Sequence, residues 1–469
     1  MSKRCFLYWG RLAGICLCIL LAGNGIAADS TRALLQVTDI IIKGNEKTKS
    51  GIIIRELGFE KGEYLARDQL ASILLRAKQQ LLNTSLFLTA SVQHIQLDSQ
   101  HVQIDVTVKE RWYFFPAPLM SLADKNFNLW WNEQNRDLGR VNAGVALEYK
   151  NMTGNNDRLA FGAQFGYSQI LGMSYHRPNI GRSKQHGLGG RISYVRNREV
   201  NYGSMYDRRS FIRSDEYIRQ YFEARVYYTF RRKVNVQHYF SIALFHENIA
   251  DTVAKVNPEY LGRGLRSVTY PEFTYRLQYQ KLNNVQYPLY GQMFQAELSR
   301  SLGINHHIDI TQLRLEAGYF RKIFPQTYIS LFAMTRIYLP IRQPFVRARG
   351  LGYSSKEVIR GLDAYVLDGN AFVLSRINLK RKLFTSSIKM PLLPGNFKQI
   401  PMTFFAKSLA DLGYVSNPSP GNNMLVNRLL FTYGWGIDLV SYYDINMSVE
   451  YGINQWKQRG FNFRVKFGL

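Results

Sequence analysis

Residues 444–454 read DINMSVEYGIN, and their alternation decides the fold. In an extended chain Ile445, Met447, Val449, Tyr451 and Ile453 fall on one side, and Asn446, Ser448, Glu450 and Gly452 on the other. Residues 312–319, QLRLEAGY, repeat the pattern, with Leu313, Leu315, Ala317 and Tyr319 opposite Gln312, Arg314, Glu316 and Gly318. Strands of soluble sandwiches run about five or six residues. Many alternating segments here approach the roughly nine to eleven residues that cross a bilayer when tilted. The 30 tyrosines and 28 phenylalanines suit aromatic girdles at two membrane interfaces. The predicted class is an all-β transmembrane barrel, with a soluble sandwich as the alternative.

Working outward, residues 113–469 hold about sixteen strand candidates: 113–123, 141–150, 158–167, 171–179, 187–196, 221–230, 236–248, 267–280, 291–300, 310–321, 327–338, 371–383, 402–415, 429–440, 445–454 and 460–469. Counted upward from the N-terminal end, long connections such as 200–219 and 250–266 fall on one side. Short ones such as 231–233 and 441–444 fall on the other, which is the asymmetry of outer-membrane barrels. A longish connection at 385–400 is the exception.

At the N-terminus, Lys3, Arg4 and Arg11 precede the apolar run 12–23 and the small-residue pattern Gly25-Ile26-Ala27. Residues 1–27 therefore read as a secretory signal peptide. All three cysteines (Cys5, Cys16, Cys18) lie within it, leaving the mature chain no disulfide and no thiolate. The formal charge of +26 falls to +23 when those three cations are removed. The expectation is that Lys and Arg line a wet lumen and loops; contact with lipid phosphates or an acidic client is the sharper alternative. No nucleic-acid partner is expected of an exported chain.

Residues 35–111 follow another pattern. A strand at 37–43 is followed by a Gly44-Asn45 turn and by Thr48, placed to cap a helix through Ile52, Ile53, Ile54 and Leu57. A second helix at 67–82 carries Leu70, Ile73, Leu74 and Leu81 on one face, and strands at 91–97 and 102–108 close a two-layer α+β unit. The ordered set of IIIKGNEKTKSGIIIREL (40–57), Gly62, the second helix and VKERW ending at Trp112 resembles a POTRA domain, the periplasmic module of the BamA/TamA outer-membrane assembly superfamily. Beyond the signal peptide at 1–27, the resemblance implies one POTRA domain at 35–111 in the periplasm and a barrel at 112–469 in the bacterial outer membrane. It also implies a sheet edge that accepts a client strand by β-augmentation; a rigid spacer is the alternative.

The same resemblance gives meaning to EVIRGLDAYVLDGNAF (357–372), which the strand count makes the sixth outer loop. The family's sixth loop enters the lumen with a Val-Arg-Gly-aromatic tip, matched here by Ile359-Arg360-Gly361-Leu362. Its partner is a Phe-x-Asp-x-Gly stretch on strand thirteen, matched in LADLGYV (409–415) by Asp411 and Gly413. Leu362 and Leu409 replace the aromatics, and Asn378 stands where a second acid is usual. The implication is a bidentate Arg360–Asp411 pair in the lumen, with Gly361 making a turn closed to other residues; an exposed loop is the alternative. The last strand, GFNFRVKFGL, places Phe461, Phe463, Val465, Phe467 and Leu469 on one face. It resembles the C-terminal barrel signal, Leu469 replacing a terminal aromatic, and in this family the first and last strands pair poorly.

No nucleotide loop, Gly-x-Ser-x-Gly elbow or His-Glu-x-x-His motif is present. His306, His307 and Asp309 sit at a predicted outer turn and are not read as a metal site. No catalytic residue and no cofactor is expected. The function implied is non-enzymatic assistance of polypeptide insertion or translocation. Its expected partners are outer-membrane lipid and lipopolysaccharide, client outer-membrane or secreted polypeptides, and accessory envelope proteins. A channel or dedicated secretion pore, and an envelope scaffold, are the alternatives. One POTRA domain, where general assembly factors carry several, favours an accessory paralogue.

Overall fold

A computed structural model describes residues 33–122, 136, 138–303, 308–340, 343–354, 356–389, 399–441 and 445–466. The expected signal peptide at 1–27 lies outside them.

The head comprises β1 (Leu34–Lys43), a helix at Ser50–Leu57, β2 (Tyr64–Ala66), a helix at Leu70–Asn83, β3 (Phe87–Gln96) and β4 (His101–Glu110). Its sheet runs β2-β1-β4-β3, with β1 parallel to β4 and the other pairs antiparallel. The parallel pair is possible because two helices intervene and supply the long crossover it needs. Ile52, Ile53 and Leu57 of the first helix, with Leu70, Leu74, Ala77 and Leu81 of the second, close over Val37, Val102, Ile104 and Val106 to form the core. Gly58 ends the first helix at φ +80°, a conformation that costs glycine little. Two expectations are corrected. The strand β2, only three residues long, gave no periodicity to read. Thr48 does not cap the helix: Lys49 holds the cap position without a side-chain bond, and Thr48 is buried elsewhere.

The wall consists of β5 (Phe114–Leu122), β6 (Val141–Lys150), β7 (Arg158–Gly166), β8 (Ser168–Ile180) and β9 (His186–Asn197). A small hairpin, β10 (Glu199–Met205) and β11 (Arg208–Arg213), interrupts it. The wall resumes with β12 (Arg219–Phe230), β13 (Val236–Ile249), β14 (Ser267–Leu282), β15 (Gly291–Leu302), β16 (Asp309–Phe324) and β17 (Thr327–Leu339). After the loop pair β18 (Arg349–Leu351) and β19 (Leu367–Asp368) come β20 (Ala371–Lys389), β21 (Gln399–Ser416), β22 (Leu430–Ser441), β23 (Asn446–Asn454) and β24 (Arg459–Lys466). Sixteen of these form one antiparallel sheet from β5 to β24, so the expected barrel and its strand count hold.

The alternation has the sense a barrel in lipid demands. Along β13, Ser241, Ala243, Phe245 and Glu247 are buried while Phe240, Ile242 and Leu244 are exposed; the polar side is the inside. The phase of the count also holds: 340–370 is the sixth connection at the outer end. The exception at 385–400 is corrected. There β20 and β21 continue their ladder as far as Lys389↔Gln399, beyond the last pairing of β20 with β17 at Arg381 and of β21 with β22 at Met402. What read as a long turn is a hairpin projecting past the rim.

Candidate functional site

Three features mark the barrel: a buried ion network under the sixth loop, two terminal strands that share no pairing among the described residues, and a polar chamber under the head.

The sixth loop turns inward and buries Ile359 and Leu362 with Leu351, Leu367, Phe372, Leu374, Val415 and Leu430. Leu362 thus fills an aliphatic core instead of stacking. Between these apolar residues Arg360 is 4% exposed and Asp411 is 0% exposed. Arg360 Nε donates to Asp411 Oδ2 at 2.9 Å and Oδ1 at 3.1 Å, and Nη2 also donates to Oδ1. The Arg360 amide adds a bond to Oδ2 at 3.0 Å. Fork and carboxylate are matched as a bidentate pair should be. Nη1 donates to Asn378 Oδ1 at 2.6 Å, and Ser330 Oγ, accepting from Asn378 Nδ2 at 3.1 Å, fixes that amide's orientation.

Gly361 has φ +86° and lies against the backbone of β23, where a Cβ added to Gly452 would stand 2.9 Å from Gly361 Cα. Two glycines therefore permit the contact. Gly413 on β21 leaves the space that Ile359 fills. The structure brings all four lock residues together: Arg360, Gly361, Asp411 and Gly413.

Sequence reasoning missed the second acid. Glu450 on β23 accepts from Arg360 Nη1 at 3.3 Å, pairs with Lys407 Nζ at 2.6 Å, and pairs with Arg464 of β24. The charge absent at Asn378 is supplied from another strand. Its signal was available, because Glu450 stands on the polar side of DINMSVEYGIN beside Gly452, but no spacing rule joins residues 90 apart. Arg376, directly opposite Asp411 in the β20–β21 register, also escaped notice; its Nη2 donates to Val358 O at 2.5 Å. Asp363 adds a link to the last strand, accepting from Asn462.

At the ends of the sheet, β5 and β24 each have one neighbour, and no pairing joins them among the described residues. Phe461 and Phe463 are exposed on the outer side of β24; Phe467 and Leu469 lie outside the described residues. So do His306 and His307, while Asp309 pairs with Arg300 at 2.6 Å.

The outer end is roofed. Asp207, at the tip of the β10–β11 hairpin, accepts from the amides of Met424 at 2.9 Å and Leu425 at 3.1 Å, and its carbonyl accepts from Val366 N at 2.8 Å. The third, sixth and seventh outer loops are tied at this one aspartate.

The head sits on the inner turns. Glu56, 1% exposed, takes Arg231 of the β12–β13 turn in a bidentate pair, at 2.5 and 2.9 Å. Asn83 bridges the β14–β15 turn, donating to Leu282 O at 3.1 Å and accepting from Val285 N at 3.0 Å. Thr48 Oγ1 accepts from Asn151 Nδ2 at 2.8 Å and lies 3.1 Å from Tyr113 Oη. Burial pushes the Tyr113 phenol well above its ordinary pKa, and its neutral hydroxyl is 3.1 Å from Leu86 O. Under the second head helix opens a cavity of about 1730 Å³ that continues into the inner lumen.

Residues 35–111 match the family model for POTRA, described as a surface antigen variable number repeat. No curated protein matches the chain. Among solved structures, CdiB from Acinetobacter baumannii shares 11% identity at a TM-score of 0.51, covering 93% of this chain and 74% of that one. CdiB from Escherichia coli shares 12% at 0.50, covering 95% and 92%. BamA from Haemophilus ducreyi lacking POTRA domains 1–3 shares 15% at 0.49, covering 92% and 84%. What the chain shares with the two CdiB structures is the fold alone.

Proposed function

We propose that this POTRA-headed barrel is a non-enzymatic protein of the bacterial outer membrane that assists insertion or translocation of polypeptides, its head lying in the periplasm. The observation that carries the reading is the open edge: β5 and β24 stand at the two ends of the sixteen-stranded sheet and share no ladder among the described residues, while every other neighbour in it is paired. An unpaired strand edge is a template for another chain, and here both sides of the opening belong to one barrel.

In this mechanism a client strand first adds to the head sheet. Its two edges are β2 and β3, and the ten-residue β3 offers far more backbone than the three-residue β2. The client then passes to the β24 edge and leaves sideways into lipid. The sixth loop holds the last strand in place: Glu450 joins Arg360 to Arg464, and Asp363 joins the loop tip to Asn462. Arg360–Asp411 is the lock that keeps the loop seated. Roofing of the outer end speaks against a permanently open channel, while the inner cavity favours a dedicated secretion pore as the second reading.

Depleting the protein and comparing the outer-membrane proteome tests the proposal. Loss of several barrels supports insertion, loss of one exported protein supports the secretion pore, and an unchanged proteome removes both.

A further inference from the structure

The inner turn between β14 and β15, residues 283–290, does more than join two strands. Its base is held by the head, through the bonds of Asn83 to Leu282 and Val285 and of Gln79 to Tyr290. Its tip is held by another part of the wall. Tyr287 donates its hydroxyl to Asp438 of β22 at 2.8 Å, and its ring centroid lies 3.9 Å from Lys380 Nζ of β20 and 5.1 Å from the Phe405 ring of β21. Gln286 O accepts from Asn446 Nδ2 of β23 at 3.3 Å. The turn thus reaches through the lumen from the eighth and ninth wall strands to the twelfth through fifteenth.

Its two sides meet different surroundings. Val285 and Gln286 border the cavity under the head, in a lining that also holds Gln237, Gln278 and Gln280. Beyond Tyr287 the lock begins. Lys380 and Asn378 are successive lumen-facing residues of β20, about 7 Å apart along the strand, and Asn378 accepts from Arg360 at 2.6 Å. Lys407 donates to Asp438 and also pairs with Glu450 at 2.6 Å, and Glu450 accepts from Arg360.

The attachment of the tip is easily undone. Lys380 is 8% exposed and has no ion pair among the described residues; the Tyr287 ring covers its ammonium. A buried ammonium without a carboxylate favours any arrangement that returns it to water. The turn keeps its own shape, since Asn283 Oδ1 accepts from the amides of Leu289 and Tyr290 and Asn284 Oδ1 from those of Gln286 and Tyr287. It can leave the wall as a unit. Asp438 would keep Lys407 and Ser448 as donors, so neither position strands a charge.

We infer that the 283–290 turn is a displaceable floor to the lock: seated, it keeps the cavity's water from Arg360 and Asp411; swung out on its base, it wets the pair and frees the sixth loop. An ion pair that is strong between apolar neighbours weakens once solvent competes for both partners. The device goes beyond the proposed function, because it governs the lock whatever the barrel handles.

The test uses the full chain in detergent, its folding confirmed by heat-modifiable gel mobility, and Lys380 itself as the reporter. Its modification by an amine-reactive ester is followed by mass spectrometry and normalised to Lys61, which is exposed on the head. Tyr287→Ala, which removes both the hydrogen bond and the covering ring, should raise Lys380 labelling about tenfold. Tyr287→Phe, which keeps the ring, should fall between Tyr287→Ala and the wild type. The sixth loop of Tyr287→Ala should also become sensitive to added protease, approaching Arg360→Ala. Residues 28–469 contain no cysteine, so Gln286→Cys/Asn446→Cys can be joined by a cleavable thiol cross-linker. The tethered form should label Lys380 more slowly than the wild type, and cleavage should restore the rate. Labelling that is unmoved by Tyr287→Ala or by the tether overturns the floor. Labelling that rises while the sixth loop stays protected overturns it too, leaving Tyr287 as a cover for one lysine.

Discussion

The two ends of the lumen solve opposite problems with one wall. Under the roof, Arg360 and Asp411 are shut between Ile359, Leu362, Leu374 and Val415, and both charges of the pair have protein partners at hydrogen-bond range. Under the head, glutamines face a cavity and leave their polar groups to whatever enters. The ladders are alike in both places; the access of water differs. A charge pair at the dry end is strong because its alternatives have been removed, and it is brittle for the same reason. The wet end forgives substitution, because solvent can replace any lost partner.

The largest expected effect breaks the dry end. Arg360→Ala leaves the Asp411 carboxylate buried, with Arg376 Nε at 3.7 Å as the nearest remaining cation. Removing one member of a buried pair costs roughly 3–5 kcal/mol. The sixth loop should open to external protease while the barrel keeps its gel shift. Asp411→Ala should match it, and the double variant should be little worse than either single change; additive defects would dissolve the lock.

Next comes packing. Gly452→Ala sets a methyl 2.9 Å from Gly361 Cα and should cost about 1–3 kcal/mol, read as a fall in thermal midpoint. Gly162→Ala, with nothing within 4 Å of the new carbon, should stay within about 0.5 kcal/mol. Equal losses would mean that the loop tip is not held by close approach.

Glu56→Gln tests the seam between wet and dry. The carboxylate is buried but Arg231 is 28% exposed, so water takes up the guanidinium and the loss should be about 1 kcal/mol. Spin labels on the head and on the β12–β13 turn should show a broader distance distribution; an unchanged one would assign docking to the head's other contacts, those of Arg55, Asn83 and Thr48 among them. The smallest change sharpens the wet end. Gln278→Ala should shift barrel stability by no more than about 0.5 kcal/mol, and a drop as large as that of Gly452→Ala would show that both ends are packed alike.

Fold and lock differed in how far they could be read from the chain. The barrel was legible because period-two alternation is local: Val449, Tyr451 and Ile453 declare their side without reference to anything distant. Arg360, Gly361, Asp411 and Gly413 were legible only through resemblance, since 51 residues separate the charges. Glu450 was not, because its partners come from three other segments and a lone acid on a polar face reads as solvated. Thr48 was misread for a related reason. Local chemistry marks it as a cap, but Asn151 and Tyr113, distant in sequence, claim its hydroxyl. The projecting hairpin of β20 and β21 was taken for a turn because it continues past the rim, where lipid no longer imposes alternation.

The seating of the head has a consequence for the order of assembly. Glu56 meets its partner 175 residues later, and Asn83 meets Val285 at a separation of 202. Contacts that close such long loops form late, after the local pairings that make them possible. The head can fold early on its own core, but its seat does not exist until the hairpins through β15 are in place. Docking therefore registers that this portion of the wall has been completed. Protection of the Val285 amide, which bonds to Asn83, should arrive after that of the head sheet in a pulsed hydrogen-exchange experiment, making the head a late clasp on a wall already built.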